Sequence, residues 1–304
     1  MKLFRRKSPT QQAPAAGRRI RELELLSAKL VRGGLAGRYH AAFHGQGIEF
    51  AQVREYQPGD DVRTLDWNVT ARSGVPHVKQ FVEERDLSVL VMLDASSSMR
   101  FGSLMKSRGE VAMELLSIFS FAALANGDRI GLILFDERVR LYREPSRSRT
   151  ATLRMLRETV DRYGSCGGRT NLAQAAEFAR RVLRRRAVVV VVSDFLEADP
   201  YEALRPIASG HDVVALQLVD PREERFPQRG LVRLFDLETG LAKDVDLAAR
   251  RPPLESLRWR SSTDRALRGL HIDRLEISTA SDYDQSLLRF FNDRAARRYG
   301  RVGS

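Results

Sequence analysis

The run Ala187–Ser193, AVVVVVS, most narrows what this chain can become. Its consecutive β-branched valines offer no polar side to water, so a strand built from them needs cover on both faces. From Ser88 onward, segments of strand and helix character alternate around it: SVLVML, SRGEVAMELLSIFSFAALA, RIGLILF, RVRLYRE, TATLRMLRETVDRY, NLAQAAEFARRVLRR, AVVVVVS, PYEALRPIAS and DVVALQLV. That alternation predicts an α/β fold, a doubly wound and mostly parallel sheet with helices on both faces. The segments around Asp136 and Glu137 lie too close in sequence for a helical crossover and predict an antiparallel hairpin at a sheet edge. Val111, Leu115, Ile118, Phe119 and Ala122 make the first helix of this region apolar nearly all round, and Asn126–Gly127 provides its stop.

At 304 residues and 43% hydrophobic composition, the chain can bury a sizeable core. Its longest apolar runs are strand-sized, below the ~18 residues of a membrane helix, so no transmembrane segment is predicted. The opening MKLFRRKSPTQQAPAAGRR is basic with no apolar region behind it and reads as a flexible tail. With Cys166 as the single cysteine, the expected location is cytoplasmic.

The formal charge of +12 comes from 51 Lys+Arg against 39 Asp+Glu. The excess sits in short groups: Arg5 and Arg6, Arg184–Arg186, Arg250 and Arg251, Arg297 and Arg298. No aromatic-interleaved basic stripe accompanies them, so they read as solvated faces and helix ends, and nucleic acid is a disfavoured partner. An acidic partner fits the charge better.

In such a sheet, ligands bind outside the carboxyl ends of the strands. SVLVMLDASSSMRFG places Asp94 at one strand end with Ser96 and Ser98 behind it, and VVVVSD places Asp194 at another. The loop GSCGGRTN brings Thr170 to the same rim. Carboxylates and hydroxyls converging on one point form a hard, all-oxygen site suited to Mg2+, with Mn2+ or Ca2+ as alternatives. Taken singly, each piece equally suits turn and cap chemistry, the role assigned to Ser97.

The set DASSS, RTN and SD resembles the metal-ion-dependent adhesion site (MIDAS) of von Willebrand factor A domains. The resemblance implies that Ser96, Ser98 and Thr170 touch the metal while Asp94 and Asp194 act through bound waters. Upstream, GIEFAQVREYQPGDDVRTLDWNVTARSGVPHVKQFVEERD, with DLETG and DYDQSLLRFF further on, is similar to the bacterial domain of unknown function family 58. That likeness implies a partner of the MoxR type of AAA+ ATPase, with this protein as adaptor or co-chaperone, and a client or partner carboxylate completing the metal site.

The expected organisation is a tail over 1–17, a helical segment over 18–44, a β-rich appendage over 45–86, and the von Willebrand factor A-like domain over 87–304 with a hairpin around Thr239 and Gly240 and terminal helices. Trp67 is expected to anchor the appendage, whose mixed charges suggest internal ion pairs. His40, His44, His77, His211 and His271 lack zinc-ligand spacing, and Cys166 reads as a small filler. The expected activity is protein binding without catalysis. A metal-dependent phosphohydrolase is the alternative, though Ala95 and Ser96 leave no second aspartate where such a nucleophile expects one. Binding of nucleic acid or anionic surfaces through charge is the other.

Overall fold

The computed structural model describes residues 12–43, 48–83, 87–103, 106–196, 200–221, 231–235, 242–246 and 263–300. Arg5, Arg6, His44, Glu84, Arg85, Arg250, Arg251, the DLETG stretch and the turn at Thr239 and Gly240 lie outside them. Helix α1 (Gln12–Leu30) is followed by a kink over Val31–Leu35, where Gly34 adopts φ 96°, and by α2 (Ala36–Phe43). The helix thus begins inside the segment read as a tail. Pro14 is tolerated there because amides of a first turn have no helical acceptor to lose. Ile20, Leu23 and Leu30 are buried, as a helix packed on the body requires.

Strands β1 (Ile48–Glu55) and β2 (His77–Glu83) pair antiparallel, with a register shift between Phe50 and Gln52. Between them lies α3 (Trp67–Ser73), capped by the Asp66 carboxylate, which accepts from the amides of Asn68 and Val69 at 3.0 and 3.2 Å. Trp67 is not the expected anchor: it is 70% exposed, because α3 is short and buries none of its residues. The Arg54 guanidinium does form an internal pair, donating to both Asp60 carboxylate oxygens at 2.8 and 2.7 Å.

The main sheet starts with β3 (Ser88–Asp94), followed by α4 (Arg108–Ala125), β4 (Arg129–Phe135), β5 (Val139–Ser146), α5 (Arg149–Tyr163), α6 (Leu172–Val182), β6 (Val188–Ser193), α7 (Pro200–Ala208) and β7 (Asp212–Val219). An antiparallel pair, β8 (Leu231–Phe235) with β9 (Ala242–Asp246), precedes helix α8 over 263–269, β10 (Asp273–Ser278) and α9 (Asp284–Gly300). The six-stranded sheet runs β10-β7-β6-β3-β4-β5 and is parallel except for the β4/β5 hairpin at one edge. The valine strand β6 is central, as its two-faced apolarity demands.

Alternation along β3 splits the core. Val89, Val91 and Leu93 face one cluster with α1, α2, α4, α5 and α9, while Leu90 and Met92 face the other with α6, α7 and Leu267 of α8. On the first face Tyr39, Phe43, Phe119 and Phe291 pack edge to face, with Phe43 and Phe291 centroids 5.5 Å apart. Ser107 starts α4 with a capping box to Glu110, and Ser27 on α1 bonds Ser117 on α4 through their hydroxyls at 2.5 Å. Among the described residues, no helix is long and apolar enough to cross a membrane.

Gly131 on β4 has no room for a side chain: a Cβ there would sit 2.7 Å from the Arg143 carbonyl oxygen and from the Pro145 nitrogen of β5. Gly131→Ala should therefore destabilise the protein by about 1–3 kcal/mol in urea unfolding. A loss below about 0.5 kcal/mol would show that the edge hairpin yields freely.

Candidate functional site

Chain order reverses beside β3. The chain leaves it for β4 on one side and returns through α5 and α6 to β6 on the other, so the crevice above β3 and β6 is a topological switch point. The parallel register, Leu93 against Val192, brings Asp94 next to Ser193, whose hydroxyl donates to Asp94 Oδ2 at 2.6 Å. Asp94 Oδ1 accepts from the Ser96 amide at 2.8 Å, and the Asp94 carbonyl accepts from the Tyr163 hydroxyl at 3.1 Å. Asp94, Ser96 and Asp194 are all fully buried, and Ser98 is nearly so.

A short 3-10 turn, Ser97–Arg100, then carries the chain away, with Ser96 at its N-cap. The Ser96 side chain makes no capping hydrogen bond. It lies 3.1 Å from the Ser98 hydroxyl instead, and it also touches the Asp94 carboxylate. Burial, then the nearby Asp194 carboxylate, push the Asp94 pKa up to about 7, against the opposing hydrogen bonds from Ser193 and Ser96.

The oxygen pair at 3.1 Å provides a fit test for a hard cation. Neighbouring ligands on a Mg2+ octahedron with bonds of about 2.0–2.1 Å lie about 2.9 Å apart, so the two serine hydroxyls are spaced to share one ion. The donor set fits: hard oxygens only, with carboxylates behind them. Among the described residues no three His, Cys, Asp or Glu side chains form a metal-binding group, so any cation here would rely on hydroxyls and water as well as on acids.

Asp194 stands at the end of β6, with ties at both carboxylate oxygens. Its Oδ1 accepts from the Leu196 amide at 3.1 Å, the turn-capping role open to it from sequence. Its Oδ2 pairs at 3.1 Å with Arg108 Nη1, which also donates to the Ser98 carbonyl at 3.2 Å. Arg108 is 1% exposed and stacks over the Phe101 ring at 5.5 Å. Between Asp194 and Leu196 the fully buried Phe195 takes φ 54°, a left-handed backbone that costs a non-glycine residue of order 1 kcal/mol and fixes the direction of this turn.

Thr170 is half-buried on the loop between α5 and α6, and no hydrogen bond among the described residues joins it to the other four site residues. The loop itself is pinned to the rim. Ser97 donates its amide to the Gly168 carbonyl at 3.0 Å and accepts from the Gly168 amide at 2.8 Å through its hydroxyl, so Ser97 serves the loop contact. Gly168 has φ 98°, which a side chain would oppose. Arg100 holds the carbonyls of Cys166 and Gly164, and buried Cys166 fills space beneath.

Asp136, after β4, is the anchor that the sequence reading passed over. It accepts from Gly167 N at 3.1 Å, Arg138 N at 3.2 Å and Arg140 Nε at 2.6 Å, and its carbonyl accepts from Asn171 N at 2.9 Å. LILFD shows the same strand-then-aspartate pattern as LVMLD and was legible. Arg108 also left a signal, since a cation in the first turn opposes the helix dipole unless something else holds it.

The family described as "Protein of unknown function DUF58" matches residues 52–261 of the chain. The chain is similar to the uncharacterized protein Rv1480 of Mycobacterium tuberculosis, 32% identical over 295 residues, covering 94% of this chain and 91% of that protein. The same figures hold for the uncharacterized protein Mb1516 of Mycobacterium bovis. Among solved structures it is similar to the conserved hypothetical protein BatB from Bacteroides thetaiotaomicron, at TM-score 0.46 and 17% identity over 69% of this chain and 99% of that one. An aerotolerance-related membrane protein from Bacteroides fragilis gives TM-score 0.44 and 18% identity with the same coverage.

Burial alone raises the Asp136 pKa, but its hydrogen bonds from Arg140, Gly167 and Arg138 prevail and hold it below the usual carboxylate range. A depressed folded pKa contributes stability above the unfolded value of about 3.9, and that stability is lost as pH falls through the folded pKa. Asp136→Asn should cost about 1–3 kcal/mol at pH 7, and the difference from wild type should close in acid as both forms become neutral. Urea unfolding across pH checks this; a gap that stays constant into acid would show that shape, not charge, makes the anchor.

Proposed function

The chain belongs to the DUF58 family, and we propose that it is a Mg2+-dependent protein-interaction module of von Willebrand factor A-like architecture. The observation that carries this reading is the Ser96 and Ser98 hydroxyl pair, buried beside two carboxylates and left out of the capping role that usually explains such serines. Ser96, Ser98 and Thr170 would hold the ion directly, and Asp94 and Asp194 would hold its waters. When bound, the ion supplies a hard, directional contact for a carboxylate of a partner protein.

The chain's own residues prepare that contact. Ser193 and the Ser96 amide fix both Asp94 oxygens, Tyr163 fixes its backbone, and Arg108 fixes Asp194. Burial and the neighbouring Asp194 disfavour the charged Asp94 carboxylate, and a cation at this point would offset that. The family resemblance implies a MoxR-type AAA+ ATPase as the partner, with the protein acting as adaptor or co-chaperone toward client proteins.

Immobilised protein should capture a MoxR-type ATPase in Mg2+ or Mn2+, and capture should fall at least about tenfold in chelator and for Asp94→Ala or Ser96→Ala. Equal capture with and without chelator, by wild type and both variants, would overturn the reading.

A further inference from the structure

The opposite end of the sheet carries a second concave site, independent of the rim. Where β3, β4, β6, β7 and β10 begin, a cleft of about 790 Å3 opens between the strand starts and α9. Its size falls in the range of small-molecule sites, roughly 300–1,000 Å3. Six arginines line it, at positions 129, 185, 186, 294, 297 and 298, against two aspartates, Asp212 and Asp273.

Both aspartates are already engaged. Arg294 pairs with Asp212 and with Asp273, Arg298 pairs with Asp212, and Arg297 reaches Asp273 at 2.8 Å. Arg185 and Arg186 have no hydrogen bond or ion pair among the described residues, and both are exposed at the mouth. His211 lines the same cleft, and its Nδ1 is buried without a hydrogen-bond partner. The cations crowd one another: burial and the Arg186 charge together hold the His211 imidazole below its ordinary range. Burial lowers the Arg298 guanidinium too, with Arg294 and Arg186 adding to it against the pull of Asp212.

Unrelieved like charge in a cleft is what a multiply charged anion neutralises, and arginine forks match phosphate oxygens bidentately. Phe43, Leu270 and Ile272 also line the cleft, with the Arg294 guanidinium stacked over the Phe43 ring at 5.1 Å. We propose that this cleft binds a small phosphorylated ligand, with Arg185, Arg186 and His211 receiving its phosphates. Concavity favours a small molecule over a nucleic acid, which is tracked by an open basic stripe or groove.

The test is calorimetric titration of the full chain with pyrophosphate and with ATP, in chelator at about 150 mM salt, so that the rim holds no metal. Saturable binding is expected, weakened at least about tenfold by Arg186→Glu and by the Arg185→Glu, Arg186→Glu pair, with melting temperature confirming the fold. Arg154→Glu, the same charge change on α5 away from the cleft, should bind as wild type, and so should Asp94→Ala. ATP binding tighter than pyrophosphate identifies a nucleoside body, and equal affinities identify the phosphates as the recognised group; either supports the site. Three results would overturn it: no saturable binding of either probe, equal weakening by Arg154→Glu, or a short oligonucleotide that displaces both with a steep salt dependence. Because Asp94→Ala leaves this binding intact, failure here is distinguishable from failure of the metal-dependent reading.

Discussion

The ladder between β3 and β6 joins segments far apart in sequence, with the bonded pair Asp94 and Ser193 separated by 99 positions. Parallel strands need long crossovers, and here the chain runs through α4, the β4/β5 hairpin, α5 and α6 before β6 can dock. Everything at the rim depends on that docking. It sets Asp94 against Ser193, puts Asp194 within reach of Arg108, and leaves the loop before α6 to close over the Ser97 turn. The valine content of β6 supplies the burial that makes this central position favourable.

Much of this was legible because two periodicities do not compete. Strands buried on both faces read as unbroken apolar runs, and the intervening helices carry their own caps, so the sheet and the edge hairpin could be read directly. The strand-end acids Asp94 and Asp194 were legible for a geometric reason, since a polar residue after a buried run must sit at the rim. The alternation of Ser96 and Ser98 brings their hydroxyls within 3.1 Å of each other, while Thr170 was placed only as far as its loop.

What escaped were residues whose role depends on partners distant in sequence. Arginine was read as a surface residue, yet Arg108 and Arg294 are 1% and 3% exposed and hold opposite ends of the molecule through buried or partly buried carboxylates. No local pattern shows that a cation will find such partners. Trp67 failed in the other direction: aromatic size suggests burial, but a helix of a single turn or two offers nothing to bury it against. The kink at Gly34 divides the segment read as helical over 18–44, and the direction of the second piece depends on the core it meets.

The second piece meets the far end of the chain. Phe43 packs on Phe291, and α9 donates from Arg294 to the Ala42 carbonyl and from Arg298 to the Phe43 carbonyl, across 252 and 255 positions. α2 and α9 therefore close part of one face of the sheet together, beside α4 and α5. A chain leaving the ribosome makes α2 and α4 well before α9, so the side of Phe43 that packs on Phe291 stays uncovered until α9 emerges. During synthesis that half-built face would be exposed apolar surface in need of shielding.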